Sequence, residues 1–487
     1  MLLAAIDLGS NSFRLEIARV EGNQIFSEGS WKETVRLAGG IDEEGKLTEA
    51  KQEKALAALS RIAEKLQGFP RQHVRAVGTQ TLRAATNSAE FIRRAEEILD
   101  CKIEILRGKE EARLVFEGCS FALPVSDKTR LIVDIGGAST ECVVGKGHEV
   151  MAGESFHVGC VNTSVRFFKG GRISEEQFTK AQLAAEAEFE GNIGTILSIG
   201  WDEAYGSSGT AGAVSWILHE CGWTDGTITK EALTRLKTEI LSSGEISKLR
   251  FPGLKDDRKE VIAGGVAVLL AVFNKLKIKS MKPAGGALRY GILHDLAGRK
   301  ENRDPRTASV ENLQKRFGAS RVQAELVCEI AKELYGQIAP NATEEDKQKL
   351  FWACQLHEIG RVVSRSDYHK HSEYLIRNCD IPGFSKPEQE ALASLVLSQR
   401  GNLKKVASLV VIRKSMLQVL CLRLATIIAH ARIPLSDLPV KLTEKGRSIL
   451  LVCAKDWLAK YPLTEFMLSQ EEEIWAKVGY EFELIAL

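Results

Sequence analysis

The sequence has no C-x-x-C pair, and its ten cysteines are scattered along 487 residues. That argues against a zinc ribbon or a disulfide framework and fits reduced thiols in a cytoplasmic protein. There is no long hydrophobic run. The longest uncharged apolar stretch, Val261–Asn274, has 14 residues, too few to span a bilayer, and reads as a core helix. Integral membrane contact is therefore not expected. Nor is there an excess of one charge: Lys+Arg 66 against Asp+Glu 64 gives a net +2. Bulk charge thus points to no nucleic acid partner, and any anion binding must come from local clustering. The amino terminus lacks a basic n-region and Asp7 interrupts its short apolar stretch, so a signal peptide is not expected. What remains is an ordinary globular composition, 44% hydrophobic and 27% charged, in a chain long enough for two to four domains.

The informative stretch is Leu131–Val144, LIVDIGGASTECVV. Apolar residues lead to Asp134, Gly136-Gly137 make a tight turn, and a second apolar run leaves, as in two strands around a glycine turn. The chain opens on the same pattern, LAAIDLGSNSFRLEIARV over Leu3–Val20; a shift of 127 positions superposes Asp7 on Asp134, Gly9 on Gly136 and Ser12 on Ser139. An ordinary β-turn explains either hairpin alone. Two in matching order imply an internally duplicated fold with two facing lobes. Glycine turns let backbone amides approach a bulky anion, and Ser10, Asn11, Ser12, Ser139 and Thr140 add polar side chains. The aspartates would repel phosphate unless a cation lay between them, so the pair points to a metal–phosphate site holding Mg²⁺.

Strands and helices alternate through the first lobe. A strand region is expected at Ile25–Val35, a helix over Leu47–Gln67, strands at His73–Gly78 and Lys102–Leu106, and helices near Thr79–Ala85, through Phe91–Leu99 and from Gly108. Arg83 falls just past a strand end, where it can clamp phosphate or stand as a solvated helix-start arginine. Glu110 and Glu111 open a helix, where the dipole favours acidic residues; either can also serve as a general base, and spacing does not choose between them. Ser139 and Glu141, two apart on an expected strand, would face the same way and bring Glu141 beside Asp134. Ser139 lacks the G-x-S-x-G context of a nucleophile. YGSSGTAG over Tyr205–Gly212 feeds a helix and makes a further anion site, without the lysine of a P-loop. Pro283–Tyr290 is another glycine turn before a helix, with Arg289 just inside.

A charged stretch, Gly298–Arg306, marks the expected linker between lobes 1–125 and 126–300 and a carboxy-terminal region 307–487. That region reads as helical, with no strand pattern until Gly479–Leu487. Residues 351–440 carry twelve Lys/Arg against seven Asp/Glu, a candidate polyanion track or a solvated basic face.

Together the two hairpins, GTQTLRAATN, GKEEARLVF and GSSGT resemble the exopolyphosphatase/guanosine pentaphosphate phosphohydrolase (Ppx/GppA) family along essentially the whole chain. The resemblance implies two sugar kinase/Hsp70/actin-like α/β lobes around a cleft, followed by a mostly helical HD-like extension. It implies Mg²⁺-dependent hydrolysis of terminal phosphoanhydrides of inorganic polyphosphate or guanosine pentaphosphate, in a cytoplasmic homodimer. Carried over by motif, Glu111 would be the general base, and Asp7, Asp134 and Glu141 the metal-associated carboxylates. Ser10, Asn11, Arg83, Gly136, Gly137, Ser139, Gly209 and Thr210 would surround phosphate oxygens. Three departures stand out. Ala138 replaces the usual third glycine of the second loop, and Gly285 stands where the family commonly has Asp. The HD pair reads His357-Glu358, with no upstream histidine after His294 to complete a metal site.

Overall fold

The computed structural model describes residues 1–21, 24–300, 304–379, 381–434 and 437–487. The chain forms two compact units, Met1–Asp304 and Pro305–Leu487. The first contains two sheets. In lobe I, β1 (Leu2–Leu8), β2 (Ser12–Glu21), β3 (Gln24–Thr34), β4 (Val74–Gly78) and β5 (Ile103–Ile105) lie in the order β3-β2-β1-β4-β5. In lobe II, β6 (Thr129–Ile135), β7 (Thr140–Lys146), β8 (Glu149–Phe156), β9 (Glu203–Ser207), β10 (Ile228–Thr229) and β11 (Ser280–Pro283) lie in the order β10-β11-β9-β6-β7-β8.

The duplication is thus one of topology. In each lobe a hairpin-connected antiparallel trio continues into two parallel strands, β1-β4-β5 in one and β6-β9-β11 in the other. These are the two actin-like lobes. The register preserves the repeat residue by residue: Asp7 pairs with Arg14 across β1–β2, and Asp134 with Glu141 across β6–β7. Alternation along the strands buries Ala4, Ile6 and Leu8 against one helical layer and Leu3 and Ala5 against another, so both sheet faces are covered. Val261–Asn274 lies within the helix Lys259–Leu276, whose apolar residues are buried in the lobe II core.

The expected elements appear with their ends shifted by a few residues: the first long helix is Glu49–Lys65 and the helix carrying the paired glutamates is Gly108–Ala122. Ser139 lies in the turn and β7 starts at Thr140, yet Ser139 and Glu141 face the same cleft, with Glu141 paired across from Asp134. One expectation needs correction. The carboxy-terminal unit is not helical up to residue 479. It holds a three-stranded sheet of β12 (Val440–Lys445), β13 (Ser448–Cys453) and β14 (Glu481–Ala486). The missed hairpin had a signal: buried Val440 and Leu442, then Ile449, Leu451 and Cys453, alternate on either side of Gly446, whose φ is +67°. A glycine at the first position of a two-residue turn between alternating runs is a hairpin pattern. Of the expected linker, residues 301–303 lie outside the described residues.

One helix, Arg413–Ala431, is apolar and long enough by composition to cross a membrane, but 67% of its most apolar window is buried within the protein. Its Arg423 side chain is buried too, in a two-bond pair with Glu471 at 2.6 and 2.7 Å. Glu358 is held by Arg361 and Arg432 at 2.6 Å each, and His357 Nδ1 lies 2.6 Å from the Cys354 carbonyl.

Candidate active site

A cleft of about 290 Å³ lies where the two hairpin turns of the first unit face each other. Its walls include Asp7, Ser10, Asn11, Glu111, Asp134, Gly136, Gly137, Ser139, Glu141 and Gly209, ten of the twelve residues expected there.

The two turns are in van der Waals contact. A Cβ on Gly137 would sit 2.8 Å from the Asn11 nitrogen and 3.0 Å from the Ser10 carbonyl carbon, so glycine is required for the approach. Their amide directions follow from the carbonyls. Ala38 N–H donates to the Ser10 carbonyl at 3.0 Å and Arg36 N–H to that of Asn11 at 2.7 Å. Cys160 and Val161 N–H, at the start of the helix Cys160–Phe167, donate to Gly136 and Gly137 at 2.9 and 2.8 Å. In a trans peptide the following N–H points opposite to its carbonyl. With the carbonyls drawn outward, the amides of Asn11, Ser12, Gly137 and Ala138 are directed the other way, a concavity suited to an anion. Gly136 differs: its own N–H closes the turn on the Ser139 carbonyl at 2.9 Å.

Glu111 and Glu110, inseparable by spacing, separate in three dimensions. Glu110 turns away from the cleft into a two-bond pair with Arg113, at 2.7 and 2.9 Å. Arg113 also binds buried Asp295 at 2.6 Å, which Arg75 and Arg299 hold as well. Glu111 points into the cleft. Arg83 stands behind it, donating to Glu111 Oε2 at 3.3 Å and to the Leu106 carbonyl; it does not line the cleft, so the structure gives it a place against Glu111 rather than on the lining. Thr210 is also off the lining, buried with its hydroxyl donating to the Ile135 carbonyl at 3.1 Å. Ser10 Oγ accepts from the Thr81 hydroxyl at 2.7 Å.

Four carboxyl groups share this small space, and burial disfavours their charge. Burial pushes Glu111 up to about 7, with Asp7 and Asp134 adding to the rise and Arg83 opposing it. Asp7 is pushed up to about 6 by burial against the pull of Arg289 and Arg14. Burial also raises Asp134, although Ser208 Oγ donates to it at 2.7 Å. Glu141 is raised well above the usual range by burial and by Glu111, despite the Ser155 hydroxyl at 2.8 Å. Ser208 itself has a φ of +62°, a strained backbone of the kind found at functional sites.

Cations face this cluster. Arg14, Arg258 and Arg289 line the same cleft, and burial together with the neighbouring Arg289 lowers the Arg14 pKa. Guanidiniums that repel one another are placed for a polyanion. Arg258 carried no local signal, because it sits in the charge-rich run Asp256–Glu260. Gly285, where an acidic residue is common in the resembled family, lines the cleft, and a Cβ there would meet only Ala122 at 3.7 Å.

The donor set fits a hard divalent cation. Asp7 Oδ1 is buried without a hydrogen-bond partner among the described residues, as are Asn11 Oδ1 and Ser12 Oγ. Among the described residues no three His, Cys, Asp or Glu side chains stand close enough together to hold a metal ion by themselves.

The family model for the Ppx/GppA phosphatase family matches residues 17–300, and that for Ppx/GppA phosphatase domain III matches residues 306–472. The chain belongs to the Ppx/GppA phosphatase family. The matched span starts inside β2, past the first hairpin turn, so Asp7–Arg14 lies outside it and is placed in the site by the motif and the geometry. Solved structures of similar fold include an exopolyphosphatase from Cytophaga hutchinsonii, at 23% identity and a TM-score of 0.56, covering 61% of this chain and 98% of that one. The Ppx/GppA family member from Aquifex aeolicus has 25% identity and a TM-score of 0.50, covering 62% of this chain and 98% of its own.

Proposed function

We propose that this family member is an exopolyphosphatase, which hydrolyses the terminal phosphoanhydride of inorganic polyphosphate and releases orthophosphate. The observation that carries the reading is the placing of the Glu111 carboxylate, backed by Arg83, in one cleft with two opposed amide loops and three arginines. Glu111, held through Oε2 by Arg83, accepts a proton from a water aimed at the terminal phosphorus. The new P–O bond forms as the bridging P–O bond breaks, and the shortened chain leaves with the bridging oxygen. Amides of Asn11, Ser12, Gly137 and Ala138 and the hydroxyls of Ser10 and Ser139 neutralise equatorial oxygens whose charge is dispersed in the transition state. Arg14, Arg258 and Arg289 hold the chain electrostatically. Gly209 leaves room for Arg258, since a Cβ there would overlap its guanidinium. Asp7 and Asp134, with Glu141 behind, would hold Mg²⁺; when bound it screens phosphate from these carboxylates. Proton transfer and substrate positioning belong to the side chains and amides named.

A second reading, guanosine pentaphosphate as substrate, is favoured by the carboxy-terminal unit. Seven of the twelve basic residues between 351 and 440 (Arg361, Lys370, Arg377, Arg413, Lys414, Arg423 and Arg432) are in ion pairs. That leaves less free charge for a polyanion track than the sequence implies. Orthophosphate release measured side by side on long-chain polyphosphate, guanosine pentaphosphate and ATP tests both readings. Polyphosphate turnover at the highest kcat/KM is expected, and no release from it would overturn the first reading.

Gly137→Ala should lower kcat/KM on inorganic tripolyphosphate by roughly tenfold or more, because the added methyl drives the two amide loops apart and sub-ångström misplacement is expensive in a positioned reaction. Steady-state phosphate release checks it, with the melting temperature as a control for folding.

A further inference from the structure

Charged side chains tie lobe I to lobe II beside the cleft. Lys32 on β3 pairs with Asp257, and Arg36 pairs with Glu260 while its Nη2 reaches the Asp257 carbonyl at 3.4 Å. Asp257 and Glu260 bracket Arg258, the lobe II guanidinium that lies over Gly209 in the cleft. Arg36 also works in the other direction. Its own N–H holds the Asn11 carbonyl at 2.7 Å, and Ala38, two residues on, holds that of Ser10. One residue therefore fixes the first anion loop with its backbone and grips the Arg258 segment with its side chain.

The backbone at Arg36 is strained. Its φ of +54° is left-handed, a conformation that glycine adopts without penalty and other residues at a cost. Glycine would relieve that strain but lose the guanidinium that crosses to lobe II. Exposed ion pairs add little to global stability, so the worth of these contacts lies in geometry.

We infer that Arg36 is a positioning residue that couples the Ser10–Asn11 anion loop of lobe I to the placement of Arg258 from lobe II. The phosphate site is then complete only with the two lobes closed on each other. The inference rests on the phosphohydrolase reading for its kinetic arm alone.

The test uses the full-length chain with Arg36→Gly, Arg36→Lys, Glu260→Ala, the double variant Arg36→Gly/Glu260→Ala, and the charge swap Arg36→Glu/Glu260→Arg. Arg36→Gly keeps the left-handed backbone and removes only the side chain. Arg36→Gly and Glu260→Ala should each raise KM for inorganic tripolyphosphate by about tenfold, the scale of one charge-assisted contact, with a smaller change in kcat. The double variant should be no worse than either single one, and Arg36→Lys and the swap should recover much of the loss. Rising salt should reproduce the KM increase in the wild type and leave Arg36→Gly less affected. Without any substrate, amide hydrogen exchange in Arg36→Gly should quicken at both Ser10–Ser12 and Asp256–Glu260, while the melting temperature stays level or rises. Additive kinetic losses, or unchanged exchange at the two segments, would overturn the coupling. A wild type that neither binds nor hydrolyses tripolyphosphate would overturn the phosphohydrolase reading instead, and the exchange arm would still decide the role of Arg36.

Discussion

Glu111→Gln is expected to reduce phosphate release by about 10²- to 10⁴-fold, the usual loss for a positioned general base, while tripolyphosphate binding measured by calorimetry stays near that of the wild type. The amide loops and arginines proposed to bind the anion are untouched by the change. The wild-type rate should rise with pH through about 7, where the buried Glu111 carboxyl loses its proton. The same group has a stability consequence of opposite sense. Its folded pKa lies above the ordinary value of 4.5, so the folded state binds more protons than the unfolded state between these values. Stability contributed by the protonated carboxyl is complete below pH 4.5 and lost as pH rises through 7. Glu111→Gln lacks this titration and should become more stable relative to wild type across that window, by on the order of 2 kcal/mol above pH 7 without a divalent cation. Urea melts of both proteins at pH 5 and pH 8 check it. Glu110→Gln is the control. Its carboxylate binds Arg113 away from the cleft, so it should lose stability and keep most of its turnover. The reverse pattern would transfer the base to Glu110.

Chelation of divalent cations is expected to abolish turnover, and Asp134→Asn to raise the Mg²⁺ concentration needed for half-maximal rate by about 10- to 100-fold, the range for perturbing a metal's protein environment. Asp7, Asp134, Glu111 and Glu141 repel one another in one cleft, and on the proposed reading a bound cation would let these carboxylates and a polyphosphate share it. Asp134 also receives the Ser208 hydroxyl, and Asn can still accept that bond through its carbonyl oxygen, so the substitution removes charge more than architecture. Mg²⁺ should likewise raise the wild-type melting temperature at neutral pH, because binding to the folded state alone stabilises it. Full activity in excess chelator would defeat this account of the cleft.

The duplicated hairpins were legible because their signal is local. Asp7 and Asp134 each sit just before a glycine turn, and a single shift of 127 positions aligns them. The two facing lobes and the residues on those turns followed from that one pattern, while the actin-like fold class came from the resemblance of five motifs to a family. The β12–β13 hairpin carried a comparable local signal in its alternation around Gly446, but it lay in a stretch dominated by helical spacing, where the wrong period was read. Other features had no local signal. Glu110 and Glu111 are chemically identical neighbours in one helical turn, and only the position of Arg113 and Asp295, the latter brought from far along the chain, decided which faces the cleft. The strand-end position of Arg83 suited a phosphate clamp or a solvated helix-start arginine, and the structure packs it behind Glu111. Seven basic residues of the carboxy-terminal unit read equally as a polyanion track or a solvated face, and their acidic partners, such as Glu471 for Arg423, became visible only in the fold.

The sequence by itself determined the two lobes, the facing glycine turns and the chemical class of the cleft, since glycine, aspartate and strand periodicity act over a few residues. Tertiary structure decided which glutamate faces the cleft, that Arg14, Arg258 and Arg289 converge, and that Arg36 reaches from one lobe to the other. Those outcomes depend on which distant side chains the fold brings within a few ångströms, and electrostatic partnership and desolvation at that range leave no trace in sequence spacing.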